Sequence, residues 1–454
     1  MVRKEACITV AETLLCVGPA MTLLYVGKPG AGAAALYSSG ALMLAIHLLL
    51  GQARRYTSLA VSLIPPVLLV RNQFLYSGVV LAFALGLLLW AAVRPREVNR
   101  LLASPVRVAL IFGCFLYWAF SWCRTGVYSS NLHAVEFALV ASSVFLLGSF
   151  RSSLAAGLLG MAVALVCEGV GVFPYGERLG LASIDSISLG NPISFGLAAG
   201  LIFLLATAEG GRWLGLDGRP LLRLVVSLVA AGFLVLSTSR GSWLTTLAGV
   251  GVSLCFANTY RRHTSWIILL VPLTAIGLAL STGRGTSVRK FYEKVVSPDR
   301  TLTQKTTGRF TQWEQAPEAI LSSPVWGHGP GSGTEIYRQL SGKRLAWHSM
   351  YLQLLVETGG MGFLIFATIL AGIAAGAAQY RRRTGEIVPL MAFVCYLVVG
   401  LSVAALDAMS AVYLGLALMG SNYCGFWRVY RQPSAPGALA RTLPIATGHV
   451  TCGY

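Results

Sequence analysis

The chain has 454 residues, of which 55% are hydrophobic and only 11% are charged, and its formal net charge is +18. Soluble domains carry about 25% charged residues, so this chain has too few charges to cover a water-exposed surface. Its lysines and arginines stand in short clusters between apolar runs, a pattern that argues against nucleic-acid binding. The composition therefore predicts a membrane protein.

Apolar runs recur along the chain, and crossing the hydrocarbon core as a helix takes about 20 apolar residues. The backbone can be satisfied in lipid only by helices or closed barrels, and these runs are too long for barrel strands. The predicted spans are residues 8–26, 31–50, 57–70, 75–93, 106–122, 132–148, 154–173, 192–208, 221–238, 242–257, 265–281, 349–378, 387–405 and 408–427. Residues 57–70 and 132–148 are short for spans. The predicted fold is an all-α polytopic integral membrane protein with about 12–14 transmembrane helices.

Basic residues predict the orientation of these helices, because cytoplasmic connections carry an excess of lysine and arginine. With a cytoplasmic N-terminus, every second connection is basic. The clusters on that side are Arg54/Arg55, Arg94/Arg96/Arg100, Arg151, Arg212/Arg219, Arg261/Arg262 and Arg381/Arg382/Arg383. This count places Arg240 and the connection at residues 282–347 on the outer side.

The connection at residues 282–347 is far longer than ordinary turns between helices, and long loops in compact proteins usually carry function. It is rich in lysine and arginine although it is predicted to lie outside. Either it binds an anionic ligand, or it is a long loop that escapes the charge bias. The predicted organisation is a helix array over 1–281, a catalytic loop over 282–347, C-terminal helices over 348–431 and a disordered cytoplasmic tail over 432–454.

Arg240 stands in the segment Thr238-Ser239-Arg240-Gly241-Ser242-Trp243, between two apolar runs. One interpretation is that its side chain only extends to the membrane interface. The other is that a tight Ser/Gly turn presents the planar guanidinium to phosphate oxygens.

Two further segments lie in the long loop. Arg309 and Trp313 belong to a basic, aromatic stretch, and a glycine-rich stretch follows at residues 323–333. The glycines lack the GK[ST] ending of a nucleotide-binding loop, so ATP binding is not predicted. Ordinary turns are an alternative interpretation of this stretch.

His348 stands where the long loop meets the next apolar run. A histidine there can be a structural hydrogen bonder, or a general base. The positive end of a helix disfavours the imidazolium form. It therefore favours the neutral imidazole, which a general base requires. His328 is the rival candidate. Tyr351 lies about one turn and Glu357 about two and a half turns beyond His348.

Four short motifs occur in a fixed order between residues 239 and 359. They are Ser239-Arg240-Gly241, Gly308-Arg309 with Trp313, Pro324-x-x-Gly327-x-Gly329, and His348-Ser349-x-Tyr351-Leu352-Gln353 with Glu357 and Gly359. On a polytopic chain with one long outer loop, this order resembles the bacterial O-antigen ligases, in the wider group of O-antigen polymerases and protein O-oligosaccharyltransferases. The N-terminal half resembles them only as an array of helices.

The resemblance implies a C-type glycosyltransferase in the bacterial inner membrane, with its active site facing the periplasm. It implies transfer of glycan from undecaprenyl diphosphate to lipid A-core in lipopolysaccharide biosynthesis. Polymerases share the motifs, so ligation, polymerisation and protein O-glycosylation stay open. His348 occupies the position of the family's essential histidine, and Arg240 and Arg309 occupy arginine positions.

The predicted mechanism is inverting and uses neither metal nor cofactor, since the chain has 17 acidic residues and no Asp-x-Asp on the outer side. His348 takes the acceptor proton while arginines stabilise the departing diphosphate. The predicted diphosphate-binding residues are Arg240, Arg309, Arg284 and Arg289, and the supporting residues are Tyr351, Glu357 and Trp313.

A transporter or flippase for a lipid-linked anion is the alternative from another class. It would also need many helices and outward-facing arginines, and polar residues such as Glu136 and Glu168 could line a path. The sequence has no clear inverted repeat, and transport does not require a histidine at the end of the loop.

Overall fold

The structure is a computed structural model. It describes residues 2–69, 84, 86, 104–125, 133–148, 151–172, 182–184, 187–189, 192–256, 277, 309–402 and 408–421.

Helices account for nearly all of these residues. In chain order they are α1 (Val2–Tyr25), α2 (Pro29–Leu49), α3 (Ala53–Ser62), α4 (Ile64–Leu69), α5 (Pro105–Thr125), α6 (His133–Leu147), α7 (Arg151–Val172), α8 (Pro192–Thr207), α9 (Pro220–Ser237), α10 (Arg240–Phe256), α11 (Arg309–Ser322), α12 (Gly333–Ser341), α13 (Met350–Thr384), α14 (Val388–Ser402) and α15 (Ala408–Leu418). A 3-10 helix (Ala208–Leu214) follows α8, and strands β1 (Ala182–Ile184) and β2 (Ile187–Leu189) form an antiparallel hairpin.

The predicted all-α polytopic class is confirmed. Among the described residues, 6 helices are long and apolar enough to cross a membrane. These spans are Glu5–Tyr25, Gly30–Leu49, Pro105–Arg124, Arg151–Val170, Pro220–Ser237 and Met350–Thr384. Apart from residues 84, 86 and 277, the predicted spans 75–93 and 265–281 lie outside the described residues, as does the tail at 432–454, so the total of about 12–14 helices stays a prediction.

Two predicted spans differ in detail from the structure. Within the predicted span 57–70, the described residues 57–69 belong to two helices, α3 and α4, separated at Leu63. Pro65 and Pro66 follow that break, and proline supplies no backbone N–H to continue a helix but is tolerated in its first turn. The predicted span 349–378 instead continues to Thr384 and carries three arginines in its last turn.

Small residues let the helices pack closely, as is usual in membrane bundles. A Cβ on Gly157 of α7 would lie 2.9 Å from the Ser58 carbonyl oxygen of α3. One on Gly376 of α13 would lie 2.8 Å from the Gly420 carbonyl oxygen. Substitution at either glycine would force these elements apart.

Three connections predicted to be cytoplasmic meet at one end of the bundle. Arg151 lies 2.7 Å and Arg212 lies 3.6 Å from Glu386. At the same end, the Arg381 guanidinium lies 4.1 Å from the centre of the Phe256 ring. Because α10 ends at Phe256 and begins at Arg240, Arg240 belongs to the opposite end.

Candidate active site

Helix α13 breaks at Gly359, whose φ of 63° and ψ of −167° are non-helical. With 35 residues, an unbroken α13 would be about 52 Å long, whereas the hydrocarbon core measures about 30 Å. Only glycine fits the break, because a Cβ at Gly359 would lie 2.3 Å from the Val325 carbonyl oxygen. The break leaves backbone groups of α13 without partners in the helix.

The glycine-rich loop supplies partners for those groups. The N–H groups of Gly360 and Met361 donate to the carbonyls of Pro324 and Val325, at 2.8 and 3.2 Å. In the other direction, the N–H groups of His328 and Gly329 donate to the carbonyls of Val356 and Glu357, at 2.9 and 2.8 Å.

Gly327 permits this contact, since a Cβ there would lie 2.5 Å from the Glu357 carbonyl carbon. The motif Pro324-x-x-Gly327-x-Gly329 therefore attaches the loop to the broken turn of α13.

The Glu357 side chain, 1% exposed, holds the next part of the loop. Oε2 accepts from the Tyr117 hydroxyl of α5 and from the Gly331 N–H at 2.9 Å. Oε1 accepts from the Gly333 N–H at 3.0 Å and from Gln353 Nε2 at 3.1 Å. Four donors occupy the acceptor capacity of a carboxylate. We call these five residues the Glu357 network.

Burial of its neighbours sets the position of His348. Trp347 is 0% exposed, donates from its indole to the Gly333 carbonyl at 3.0 Å, and packs edge-on against Tyr337. Ser349 and Met350 on the other side are also buried. His348 between them is half-buried and has a φ of 49°, which is uncommon for a residue other than glycine.

The two described arginines of the predicted site lie on two different helices. Arg240 is the first residue of α10, and Arg309 is the first described residue of α11. Burial, and then the charge of Arg240, lower the pKa of Arg309. Burial, and then the charge of Arg309, lower the pKa of His348. Residues from three separate elements are thus close enough to interact electrostatically.

The two histidines differ in their contacts. Nε2 of His328 lies 2.8 Å from the Ala319 carbonyl oxygen and 2.9 Å from the Ser322 hydroxyl. A carbonyl only accepts, so Nε2 of His328 carries a proton and donates it. Within the described part of the chain, the imidazole of His348 makes no hydrogen bond.

The remaining predicted residues occupy different positions. Trp313 lies one turn beyond Arg309 on α11 and is 37% exposed. The Tyr351 hydroxyl donates to the Leu397 carbonyl at 2.8 Å, so it connects α13 to α14. Arg284 and Arg289 lie outside the described residues.

Two residues of α5 at this site escaped the sequence analysis. Tyr117 donates to Glu357, 240 residues away in the chain. Arg124 packs its guanidinium against Gly329, where a Cβ would lie 2.1 Å from Nη1. Tyr117 stands within an aromatic, apolar run and Arg124 stands at its end, and neither belongs to a motif, so no local signal marks them as residues of the site.

Comparison with known proteins adds two findings. Residues 225–367 match the family model described as O-antigen ligase, a segment that includes Arg240, Arg309, His348 and Glu357. A Haemophilus influenzae protein described as uncharacterized is 29% identical over 151 residues, which cover 30% of this chain and 38% of that protein. The match therefore spans less than half of either protein.

Proposed function

We propose that this multi-pass membrane protein, which belongs to the O-antigen ligase superfamily through residues 225–367, is a glycosyltransferase that joins a lipid-linked glycan to lipid A-core. The donor is undecaprenyl diphosphate-linked glycan. The observation that carries the proposal is the grouping of His348, Arg309 and Arg240. The imidazole of His348 makes no hydrogen bond among the described residues. It lies within electrostatic range of Arg309, which in turn interacts with Arg240.

In the proposed reaction, His348 removes the proton from an acceptor hydroxyl of lipid A-core. The hydroxyl oxygen forms a bond to the anomeric carbon while the bond from that carbon to the diphosphate oxygen breaks. The electron pair of the broken bond stays on undecaprenyl diphosphate. Displacement from the opposite side inverts the anomeric configuration.

Charge supports this assignment of roles. A base must be neutral before it takes a proton, and the pKa of His348 is lowered by burial and by Arg309. Arg240 and Arg309 carry like charges that repel each other, and a diphosphate bound between them would offset that repulsion. One guanidinium can donate two parallel hydrogen bonds to phosphate oxygens. Its positive charge then lies where the leaving group develops negative charge. Arg284 and Arg289 are proposed to assist them.

Glu357 is proposed to support the site rather than to act as an acid or base. Its two oxygens already accept four hydrogen bonds, so no lone pair is left to take the proton of the acceptor hydroxyl. Trp313 and Tyr351 are proposed to support the substrate side and the α14 side of the site, respectively.

The active site is proposed to face the periplasm, with the protein in the bacterial inner membrane. The proposed organisation remains a helix array over 1–281, the catalytic loop over 282–347, C-terminal helices over 348–431 and a cytoplasmic tail over 432–454. The contacts among Arg151, Arg212 and Glu386 support a common side for the basic connections.

Impermeant thiol labelling in intact cells tests this orientation. In variants of a background without accessible cysteines, a cysteine replacing Arg300 is expected to be labelled and one replacing Arg382 to be protected, because the alternation of basic connections places Arg382 in the cytoplasm and residues 282–347 on the opposite side. The reverse pattern would overturn the orientation. Labelling of both after membrane permeabilisation is the control for reactivity.

Purified protein given lipid-linked glycan, with and without lipid A-core, tests the reaction. We expect a conjugate of glycan and lipid A-core that forms without ATP or an ion gradient, and at an unchanged rate in excess chelator. A ladder of longer lipid-linked glycans without lipid A-core would identify a polymerase instead. Loss of transfer on chelation, restored by Mg²⁺ or Mn²⁺, would reject the arginine-based mechanism.

A further inference from the structure

Helix α5 ends 100 residues before the segment that matches the family, yet it contacts that segment at two points, one on α13 and one on the glycine-rich loop. Tyr117 donates to Glu357, and Arg124 packs against Gly329. The two residues lie about two turns apart on α5. Helix α5 therefore lies along the face of the loop that is attached to α13.

A continuous chain of contacts runs from Tyr117 to His348. The Tyr117 hydroxyl and the Gly331 N–H share Oε2 of Glu357, and the Gly333 N–H binds Oε1. The carbonyl of Gly333 accepts the indole hydrogen bond of Trp347. Trp347 directly precedes His348, so the direction of the Glu357 carboxylate affects the backbone that carries the imidazole.

The hydroxyl of Tyr117 has a specific part in this arrangement. Gly331, Gly333 and Gln353 all belong to the loop or to α13, whereas Tyr117 is the described donor from another part of the bundle. Without it, Oε2 keeps only the Gly331 N–H among the described donors, and the carboxylate is held by contacts within the loop and α13 alone. Hydrogen bonds to a charged group at a buried site are stronger than those between neutral groups, so this donor has a large influence.

We infer that Tyr117 is a positioning residue of the active site, which fixes the Glu357 carboxylate and through Gly333 and Trp347 the position of His348. The inference rests on the proposed function. Tyr117 acts through Glu357 and not on the reacting atoms, so it influences the rate of the chemical step more than the binding of the donor.

Tyr117→Phe in the full-length purified protein tests the inference. A displacement of about 1 Å at a catalytic group can cost about 100-fold in rate, so kcat is expected to fall about 10- to 100-fold. KM for the lipid-linked donor and the melting temperature are expected to stay within about twofold and about 4 °C, since only one hydroxyl is lost. Tyr413→Phe is the matched control, because it removes a buried hydroxyl that donates to the Leu197 carbonyl at 2.9 Å in the bundle core.

A double-variant cycle separates positioning from general damage. In the Glu357→Leu background, which has no side-chain acceptor for the Tyr117 hydroxyl, Tyr117→Phe is expected to cause little further loss, since the effects of residues in one hydrogen-bond network are not additive. Equal losses in both backgrounds, or a normal kcat for Tyr117→Phe, would overturn the inference.

Hydrogen exchange gives a readout that does not depend on transfer. The amides of Gly331 and Gly333 are expected to exchange faster in Tyr117→Phe than in the wild type and in Tyr413→Phe. If the wild type transfers no glycan, the proposed function fails. If the amides of Gly331 and Gly333 exchange at the same rate in Tyr117→Phe as in the wild type, the positioning role of Tyr117 fails, whatever the result of the transfer assay.

Discussion

Replacing His348 with alanine is expected to reduce the rate of glycan transfer by about 10²- to 10⁴-fold, the usual contribution of a general base. The imidazole is half-buried, makes no hydrogen bond within the described residues, and interacts with Arg309. Its removal should therefore leave the fold and the binding of the lipid-linked donor nearly unchanged. Turnover by the purified variant and equilibrium binding of the donor measure the two effects separately.

His328→Ala is the matched comparison, because it removes the other histidine of the same loop. His328 binds the Ala319 carbonyl, so its loss is expected to weaken the loop and to reduce transfer less than His348→Ala does. Normal transfer by His348→Ala together with an inactive His328→Ala variant would show that the base is assigned to the wrong histidine. Loss of donor binding in His348→Ala would point to phosphate contact instead.

The pH dependence gives a further check on His348. Transfer requires the neutral imidazole, so the rate falls as the pH drops through the pKa of His348. Burial and the charge of Arg309 lower that pKa, which places the acid limb of the rate profile below the ordinary histidine value of about 6.5. In Arg309→Gln the positive neighbour is lost, and the acid limb of the residual activity should move to higher pH.

The sequence was most informative where residues lie close together in the chain. Arg240 begins a helix and His348 precedes one, positions that apolar patterning reveals, whereas the helix that carries Arg309 has no apolar run and was not predicted. The grouping of the three was not predictable from spacing. It depends on interactions between elements that are distant in the chain, and only the resemblance to a known family indicated that they belong to one site.

The break at Gly359 shows a second limit. The apolar run continues through Gly359 and Gly360, so periodicity predicts one uninterrupted helix. What separates the two parts is that the N–H groups of Gly360 and Met361 donate to the carbonyls of Pro324 and Val325. Backbone N–H and C=O groups occur in nearly every residue, so the glycines are the only sign of these bonds in the sequence. In the sequence, glycines that permit such a contact look the same as glycines of ordinary turns.

Replacing Arg240 or Arg309 with lysine is expected to reduce turnover about 10- to 100-fold although the charge is retained. A compact ammonium cannot form the paired hydrogen bonds of a guanidinium on two phosphate oxygens. Hydrogen bonds to charged groups contribute about 1.5–3 kcal/mol, and about 1.4 kcal/mol corresponds to tenfold in rate. Steady-state turnover of each purified variant, with its melting temperature, measures the effect.

Arg338→Lys is the matched control for this pair. Arg338 also lies in the extramembrane segment, but it is exposed and pairs with Glu335 at 2.6 Å on the surface of α12. Exposed ion pairs contribute little, so this variant is expected to transfer glycan at the normal rate. If Arg240→Lys matches Arg338→Lys while Arg309→Lys is impaired, Arg240 only anchors α10 at the membrane interface, and Arg309 binds the diphosphate without it.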